Sequence, residues 1–300
     1  MTEEADTSPC CASCGIAELD DIKLKPCDGC DLAIYCSDEC KEDHRPEHEA
    51  KCKERAAELR DEILFRQPEG THLGDCPICS LPLSLVKKQS SLFSCCSKSI
   101  CMGCSHAYFL SHDWAAQPSC PFCRQSLPRT DEEGDKNTMK RVAANEPVAL
   151  CRVGQDYYNK EDYESALKYW TNAAALGHAE AHYNLSFLYL EGHGVEKDEQ
   201  KQLYHLEEAA IQGHPIARHN LAWYEMMNRR IERAVKHLII GANLGHDESI
   251  TRLKACYKDE LVSKEDFAAA LRAHHVAVNA TKSPQRVAGW EDRKQTSKQK

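Results

Sequence analysis

The stretch CASCGIAELDDIKLKPCDGCDLAIYCSDECKEDHRPEHEAKC, residues 11–52, decides how the N-terminal part of this chain folds. It contains four ligand pairs, which are Cys11/Cys14, Cys27/Cys30, Cys36/Cys40 and His48/Cys52. Zinc takes four nitrogen or sulfur ligands in a tetrahedron, and two cysteines separated by two residues can reach one ion. Ligands spaced i, i+4 share one face of a helix and can do the same. The spacing therefore predicts a small module that holds two zinc ions.

A second cysteine-rich stretch follows and has the same character. Its cysteines are Cys76, Cys79, Cys95, Cys96, Cys101, Cys104, Cys120 and Cys123. No basic segment followed by an apolar one opens the chain, so we expect no secretory signal. Cysteines in a reducing compartment are better explained as metal ligands than as disulfides, although a disulfide-rich secreted module is the alternative. The two stretches together predict about four zinc ions per chain.

The net charge and hydropathy of the chain limit the kinds of partner that it can bind. The net charge is −9 at pH 7, which argues against nucleic acid as a ligand because nucleic-acid-binding proteins usually carry a basic surface. No run approaches eighteen apolar residues, so we expect no membrane span. The sequence favours an intracellular protein, cytoplasmic or nuclear, that binds other proteins.

The C-terminal half repeats itself. The pairs Gly177-His178, Gly213-His214 and Gly245-His246 recur at spacings of 36 and 32 residues. A period in the thirties with two helices per unit is typical of a helical solenoid, and each glycine can end a helix in the left-handed conformation. We predict helices near 147–159, 161–176, 179–190, 198–212, 215–227, 229–244, 247–258 and 263–279.

The first cysteine stretch resembles the MYND-type zinc finger over residues 11–52. The resemblance implies one zinc on Cys11, Cys14, Cys36 and Cys40, and a second on Cys27, Cys30, His48 and Cys52. It leaves Cys10 as a spare thiol or as a substitute ligand. MYND fingers bind proline-containing peptides, but this chain has Lys41 and Arg45 where the family usually has Gln and Trp. A zinc-stabilised fold without a peptide ligand is therefore the alternative.

The second stretch resembles a RING finger over residues 76–124. The resemblance implies a complete zinc site of Cys76, Cys79, Cys101 and Cys104. The other site would use Cys96, Cys120, Cys123 and a fourth residue, which is normally a histidine two positions after Cys96. Here that residue is Lys98, whose ammonium group has no lone pair for zinc. Cys95 is the first candidate for the missing ligand, and His106 and His112 are the alternatives.

RING fingers of ubiquitin ligases dock a ubiquitin-conjugating enzyme on a shallow apolar face. The positions that match this face are Ile78, Tyr108 and Pro121, and Arg124 matches the arginine that holds ubiquitin against the conjugating enzyme. Arginine suits that role because its planar fork can bond two acceptors. Three of these residues also have an ordinary structural explanation: Ile78 as a core side chain, Pro121 as a turn former and Arg124 as a solvated charge.

The C-terminal part resembles Sel-1-like repeats, which are related to tetratricopeptide repeats. The matching motifs are the Ala-Ala-x-x-Gly-His turns and Tyr189-Leu190-Glu191-Gly192-x-Gly194-Val195. The predicted fold class is two small zinc-stabilised α+β modules followed by an all-α solenoid of helical-hairpin repeats. The predicted domains are the MYND-type finger at 11–52, the variant RING-type finger at 76–124, a linker at 125–144, the repeats at 145–280 and a disordered basic tail at 281–300.

Two functions follow from these resemblances. In the first, the chain is a RING-type ubiquitin ligase that recruits a ubiquitin-conjugating enzyme and selects a target protein or peptide through its repeats. In the second, the modules are interaction surfaces of a non-enzymatic scaffold. No nucleophile–base pair, phosphate-binding loop or open metal position is recognisable, so the sequence gives no support to a hydrolase or a kinase.

Overall fold

The computed structural model describes residues 9–18, 22–111 and 118–298, with side chains up to residue 293. Contacts between Cα atoms divide the chain into two units, Met1–Arg66 and Gln67–Lys300. The first unit carries the first cysteine stretch, and the second carries the other stretch together with the repeats. Within the described ranges, no helix combines the length and the apolar character that a bilayer span requires.

The first unit consists of a minimal hairpin and one long helix. Strands β1 (Lys25–Pro26) and β2 (Ile34–Tyr35) pair antiparallel, with Lys25 opposite Tyr35. Helix α1 (Asp38–Leu64) follows, and its N-cap Ser37 accepts a hydrogen bond from the Cys40 N–H at 3.2 Å. This cap and an acidic first turn, Asp38 and Glu39, stabilise the beginning of the helix.

The second unit opens with a small α+β module. Strands β3 (Ser90–Phe93) and β4 (Lys98–Cys101) form an antiparallel hairpin in which Ser90 lies opposite Cys101. Helix α2 (Met102–Leu110) follows directly. The core of the module combines buried cysteines with Leu83, Phe93 and Ile100. This apolar core is small, so metal binding has to supply much of the stability of the module.

Two segments differ from the sequence prediction. The predicted linker 125–144 contains helix α3 (Asp131–Ala143), whose N-cap Thr130 accepts a hydrogen bond from the Glu133 N–H at 3.2 Å. The predicted disordered tail 281–300 contains helix α12 (Pro284–Lys298), which packs against α2. Both segments are polar, and polarity alone suggested irregular structure. Residues 299–300 of the predicted tail lie outside the described residues.

Between these two helices lie four antiparallel helical pairs. The helices are α4 (Pro147–Asn159), α5 (Tyr163–Ala175), α6 (Ala179–Glu191), α7 (Glu199–Ile211), α8 (Pro215–Met227), α9 (Ile231–Asn243), α10 (Asp247–Lys258) and α11 (Lys264–Ala280). Each boundary lies within two residues of the prediction. The predicted fold class, zinc modules followed by an all-α solenoid, is confirmed.

In the first two Gly-His turns, which join consecutive helical pairs, the glycine ends one helix and the histidine caps the next. Gly177 and Gly213 adopt φ of 76° and 80°, which ends the preceding helix. The histidine then caps the next helix: Nδ1 of His178 accepts from the Ala181 N–H at 3.3 Å, and Nδ1 of His214 accepts from the Ala217 N–H at 3.2 Å. Helix capping therefore explains two of the three recurring histidines. The third, His246, makes no side-chain cap hydrogen bond, and its Nδ1 lies 2.8 Å from Oγ of Ser249.

The first helical pair is built around Trp170. This side chain is fully buried, and its indole N–H donates to the Cys151 carbonyl oxygen at 3.0 Å. A methyl group at Gly154 would lie 2.5 Å from Cδ1 of the Trp170 ring, so only glycine permits this approach of α4 to α5.

Replacing Gly154 with alanine should therefore destabilise the repeats by about 1–3 kcal/mol through overpacking. Gly134→Ala is the matched control in helix α3, because the nearest atom to its added methyl group would be 3.9 Å away. That variant should gain about 0.5–1 kcal/mol from helix propensity. Thermal unfolding followed by circular dichroism measures both. Equal melting temperatures for the two variants would contradict the close packing of α4 against α5.

Candidate metal centres

Three of the cysteine pairs are built on the same backbone turn. After Cys14, Cys79 and Cys123, the next residue takes a positive φ, at Gly15, Ser80 and Arg124. In each turn the N–H of this residue donates to the carbonyl oxygen of the first cysteine, at 2.8–3.0 Å. The turn aims both thiol groups to one side, as a tetrahedral metal requires. The left-handed backbone costs little at Gly15 and more at the other two positions.

The first unit brings together two sets of four side chains. One set is Cys11, Cys14, Cys36 and Cys40, and the other is Cys27, Cys30, His48 and Cys52. In each set the four potential ligand atoms lie within 4.8 Å of one another. Hairpin and helix place them: Cys36 follows β2 directly, whereas Cys40, His48 and Cys52 lie on α1.

The second unit brings together two further sets. They are Cys76, Cys79, Cys101, Cys104 and Cys95, Cys96, Cys120, Cys123. Helix α2 supplies Cys104, the end of β4 supplies Cys101, and the loop between β3 and β4 supplies Cys95 and Cys96. The two sets interleave along the chain, which is the arrangement that the RING resemblance implied.

The spacing of the sulfur atoms fits zinc. A tetrahedral Zn–S bond of about 2.3 Å places neighbouring sulfurs about 3.8 Å apart. The observed Sγ–Sγ distances are 3.6 Å for Cys14–Cys36 and for Cys27–Cys52, and 3.8 Å for Cys79–Cys101. These distances are much longer than the roughly 2.05 Å of a disulfide bond, and the cysteines are free thiols. Each set can hold one ion, and together they fit about four zinc ions.

Hydrogen-bond donors favour the thiolate form that zinc needs at Cys27 and Cys79, whereas burial raises the pKa of Cys52 and of Cys96 to about 11. Burial would raise the pKa of Cys27, but hydrogen bonds from the Gly29 N–H, His48 and Cys52 outweigh it, and the pKa falls to about 6. Burial likewise opposes ionisation of Cys79, yet a hydrogen bond from Arg286 lowers its pKa to about 7. Four protein ligands leave no position for a reactive water, so these sets suit structural zinc.

Cys95 lies where the RING resemblance lacked a ligand. Its buried Sγ is 3.4 Å from Sγ of Cys123, and Sγ of Cys96 is 3.8 Å from Sγ of Cys120. Lys98 points elsewhere, with Nζ 5.9 Å from the centre of the Phe122 ring. His106 also points elsewhere, with Nε2 3.3 Å from a carboxylate oxygen of Asp292. The other alternative, His112, lies outside the described residues.

The four residues expected to bind a conjugating enzyme differ in how far they are exposed to solvent. Ile78 is 45% exposed on the first zinc loop of this module. Pro121 is half-buried and Arg124 is exposed on the last zinc loop, beside Phe122, which is 44% exposed. Tyr108 is half-buried, and its hydroxyl is 2.7 Å from Oγ of Ser119. It therefore links α2 to the loop before Cys120.

A further cluster lies in the second unit and was not predicted from the sequence. Nε2 of His72 and Nε2 of His214 lie 3.3 and 3.1 Å from Oε2 of Glu180, and the two imidazole rings stack at 4.2 Å. Because Nδ1 of His214 accepts the Ala217 N–H, its Nε2 carries the proton and donates to Glu180. Burial lowers the pKa of His214 to about 4, which keeps the ring neutral. These contacts form a hydrogen-bonded cluster that links His72 to the repeats. A protonated Nε2 on His214 cannot ligate a metal, so we do not count this cluster as a metal centre.

Comparison with protein-family models agrees with the geometry. The model described as MYND finger matches residues 11–52. The model described as plant tetratrico peptide repeats matches residues 131–223, which begins at α3. MYND fingers and repeats of this kind are protein-interaction modules. The predicted RING resemblance rests on the two cysteine sets of residues 76–123.

Comparison with individual proteins concerns the repeats. HcpC of Helicobacter pylori (strain J99), whose name marks it as a candidate beta-lactamase, is 37% identical over 60 residues, which is 20% of this chain. The matched region spans about a fifth of the length of this relative, 21%.

Two solved structures are also similar. A Sel1 repeat protein from Oxalobacter formigenes has a TM-score of 0.43 at 22% identity, over 51% of this chain and 66% of that one. The antigen c5321 of uropathogenic Escherichia coli, described as displaying an SLR fold, has a TM-score of 0.41 at 20% identity, over 55% and 37%. The chain thus carries a MYND-type zinc finger at residues 11–52, followed by Sel-1-like, tetratricopeptide-related repeats.

Proposed function

We propose that this protein is a RING-type ubiquitin ligase that selects target proteins through its repeats. The observation that carries the proposal is the pair of interleaved cysteine sets in residues 76–123, with Ile78 exposed on a zinc loop of one set and Phe122 exposed on a zinc loop of the other. Apolar side chains that a rigid zinc loop holds in solvent suit a partner that buries them.

The zinc ions have a structural role in this proposal. The ligands are Cys11, Cys14, Cys36 and Cys40; Cys27, Cys30, His48 and Cys52; Cys76, Cys79, Cys101 and Cys104; and Cys95, Cys96, Cys120 and Cys123. Bound zinc fixes the loops, and the loops hold the docking residues. Catalysis is then a matter of proximity and orientation, with no covalent intermediate on this chain. Arg124, exposed directly after Cys123, is the residue that orients the donor ubiquitin.

Target selection is assigned to the repeats. Leu190, Trp223 and Met227 are exposed, and they line a groove of about 800 Å³ between repeat helices. The guanidinium of Arg252 lies 5.2 Å from the centre of the Trp223 ring and adds a positive charge beside the apolar surface. Lys197, Asp198 and Glu199 also line the groove, so its charges nearly balance, and a peptide segment with one large apolar side chain has the complementary chemistry.

The MYND finger is a weaker candidate for target selection. Lys41 stands where the family has Gln and forms an ion pair with Asp28, while Arg45 stands where the family has Trp and pairs with Glu42. A charged surface of this kind lacks the aromatic wall of an apolar peptide groove. We assign the finger a structural role and leave target selection to the repeats.

A ubiquitin-discharge assay tests the proposal. Ile78→Ala should abolish transfer from a conjugating enzyme without loss of zinc, because truncating a central anchor costs roughly 2–4 kcal/mol of binding free energy. Arg124→Ala should slow transfer while docking persists. Ile63→Ala is the matched control, since Ile63 is exposed to almost the same degree, 46%, on α1.

The second candidate function is a non-enzymatic scaffold, and Lys98 in place of the family histidine is the observation that favours it. A wild-type chain that discharges none of a broad panel of conjugating enzymes would decide for the scaffold. The zinc modules would then act only as interaction surfaces.

A further inference from the structure

The last helix reaches a cysteine set that lies about 200 residues earlier in the chain. The guanidinium of Arg286, on α12, donates to Sγ of Cys79 at 3.2 Å. It also donates to the carbonyl oxygens of Pro82 at 2.6 Å, Thr281 at 2.8 Å and Leu81 at 2.9 Å. Arg286 is only 9% exposed. A buried arginine with this many acceptors is fixed in place, and one of the acceptors is a candidate zinc ligand.

Electrostatics explains why a cation belongs there. A zinc ion with four thiolates carries a net charge of −2, and Cys76, Cys101 and Cys104 are buried, so water screens this charge poorly. Two backbone donors offset part of it: the Cys101 N–H lies 3.4 Å from Sγ of Cys76, and the Cys104 N–H lies 3.4 Å from Sγ of Cys101. Arg286 adds a full positive charge and a direct N–H···S hydrogen bond at Cys79.

Two glycines let α12 come close enough to deliver this charge. A methyl group at Gly103 on α2 would lie 2.7 Å from the Cα and the backbone nitrogen of Arg286. A methyl group at Gly289 on α12 would lie 3.0 Å from Cβ of His106 and 3.1 Å from the carbonyl oxygen of Met102. Backbone contacts of this kind cannot relax by a side-chain rotation, so the approach depends on glycine on both helices.

We propose that Arg286 is a positioning residue for the zinc centre of Cys76, Cys79, Cys101 and Cys104, and that the C-terminal helix is therefore part of the second zinc module. Arg286 neutralises the charge of the centre and protects the Cys79 thiolate. The inference rests on the proposed zinc ligands but not on ubiquitin transfer. Residues 76–124 without α12 would lack one element of their own metal site.

Site-resolved alkylation of the full-length zinc-loaded chain, in the presence of a competing chelator, tests this inference. Arg286→Gln should accelerate alkylation at the four cysteines of this centre about tenfold, since residues that hydrogen-bond to metal ligands typically contribute 10–100-fold to metal affinity. The other three cysteine sets serve as internal standards and should keep their rates. Peptide mass spectrometry identifies which cysteines react.

Three further variants separate charge from packing. Arg286→Lys should give a smaller acceleration, because it keeps the charge but loses the planar fork. Gly103→Ala should reproduce the effect of Arg286→Gln with the arginine still present. Arg272→Gln, at an exposed position on α11, should change nothing.

Unchanged rates in Arg286→Gln, or an equal acceleration at all four cysteine sets, would overturn the inference. The zinc assignment itself fails in a different way. In that case the wild-type chain would already react at Cys79 as fast as at the exposed Cys10.

Discussion

Removal of zinc by a strong chelator should unfold the first unit and the second zinc module while helices α4 to α11 keep their structure. Structural zinc supplies about 10–16 kcal/mol of folding free energy per ion in small modules. The first unit has a core made mainly of its own ligands with Ala33 and Tyr35, so little else opposes unfolding. The repeats have independent apolar cores around Trp170 and Leu238.

Amide hydrogen exchange measures this outcome residue by residue. After chelation, protection should be lost over residues 11–64 and 76–124 and retained over residues 147–280. The same concentration of zinc-saturated chelator is the control. Retained protection in the cysteine-rich ranges would mean that zinc does not hold these modules together.

Replacement of Cys95 by serine should remove one zinc ion and leave about three in the chain. Serine keeps the size of the side chain but offers no thiolate, and Sγ of Cys95 is the atom that completes the set with Cys96, Cys120 and Cys123. Loss of the ion should also increase exchange in the loop that carries Pro121 and Phe122. Metal analysis by mass spectrometry measures the change.

The matched control for this variant is Cys10→Ser. Cys10 is exposed, directly precedes a candidate ligand and belongs to none of the four sets. It should lose no zinc. Unchanged zinc content in Cys95→Ser would exclude Cys95 as a ligand, and loss of zinc in Cys10→Ser would mean that ligands exchange in the first finger.

The repeats were predictable because local signals agree with the tertiary structure. Several helix boundaries are marked in the sequence by a glycine that can take a positive φ, such as Gly177, or by a capping side chain such as Asp162 or Ser263. Apolar residues at helical spacing then specify the buried face. Local and global preferences point to one answer, so boundaries could be predicted within two residues.

The last helix was not predictable for the opposite reason. Helix α12 is polar and carries few apolar residues, and what orders it is packing against α2 through Gly103 and the buried Arg286. Neither partner is visible as a local pattern, because they are far apart in the chain. The contacts of His72 with Glu180 and His214 could not be predicted either, because these residues are also far apart in the chain.

The metal centres could be predicted from the sequence only in part. Cysteine spacing indicated which pairs share a metal ion, and three of the five two-residue gaps adopt the same backbone turn. Spacing could not choose between Cys95, His106 and His112, because that choice depends on where a loop and a helix point in three dimensions. In the structure the β3–β4 loop directs Cys95 toward Cys123.

Native mass spectrometry of the 300-residue chain counts the bound zinc ions directly on the intact protein. We expect four zinc ions per chain, with one lost in Cys95→Ser and none lost in Cys10→Ser. A wild-type chain that holds only two zinc ions would mean that one of the two cysteine-rich modules is not a metal centre.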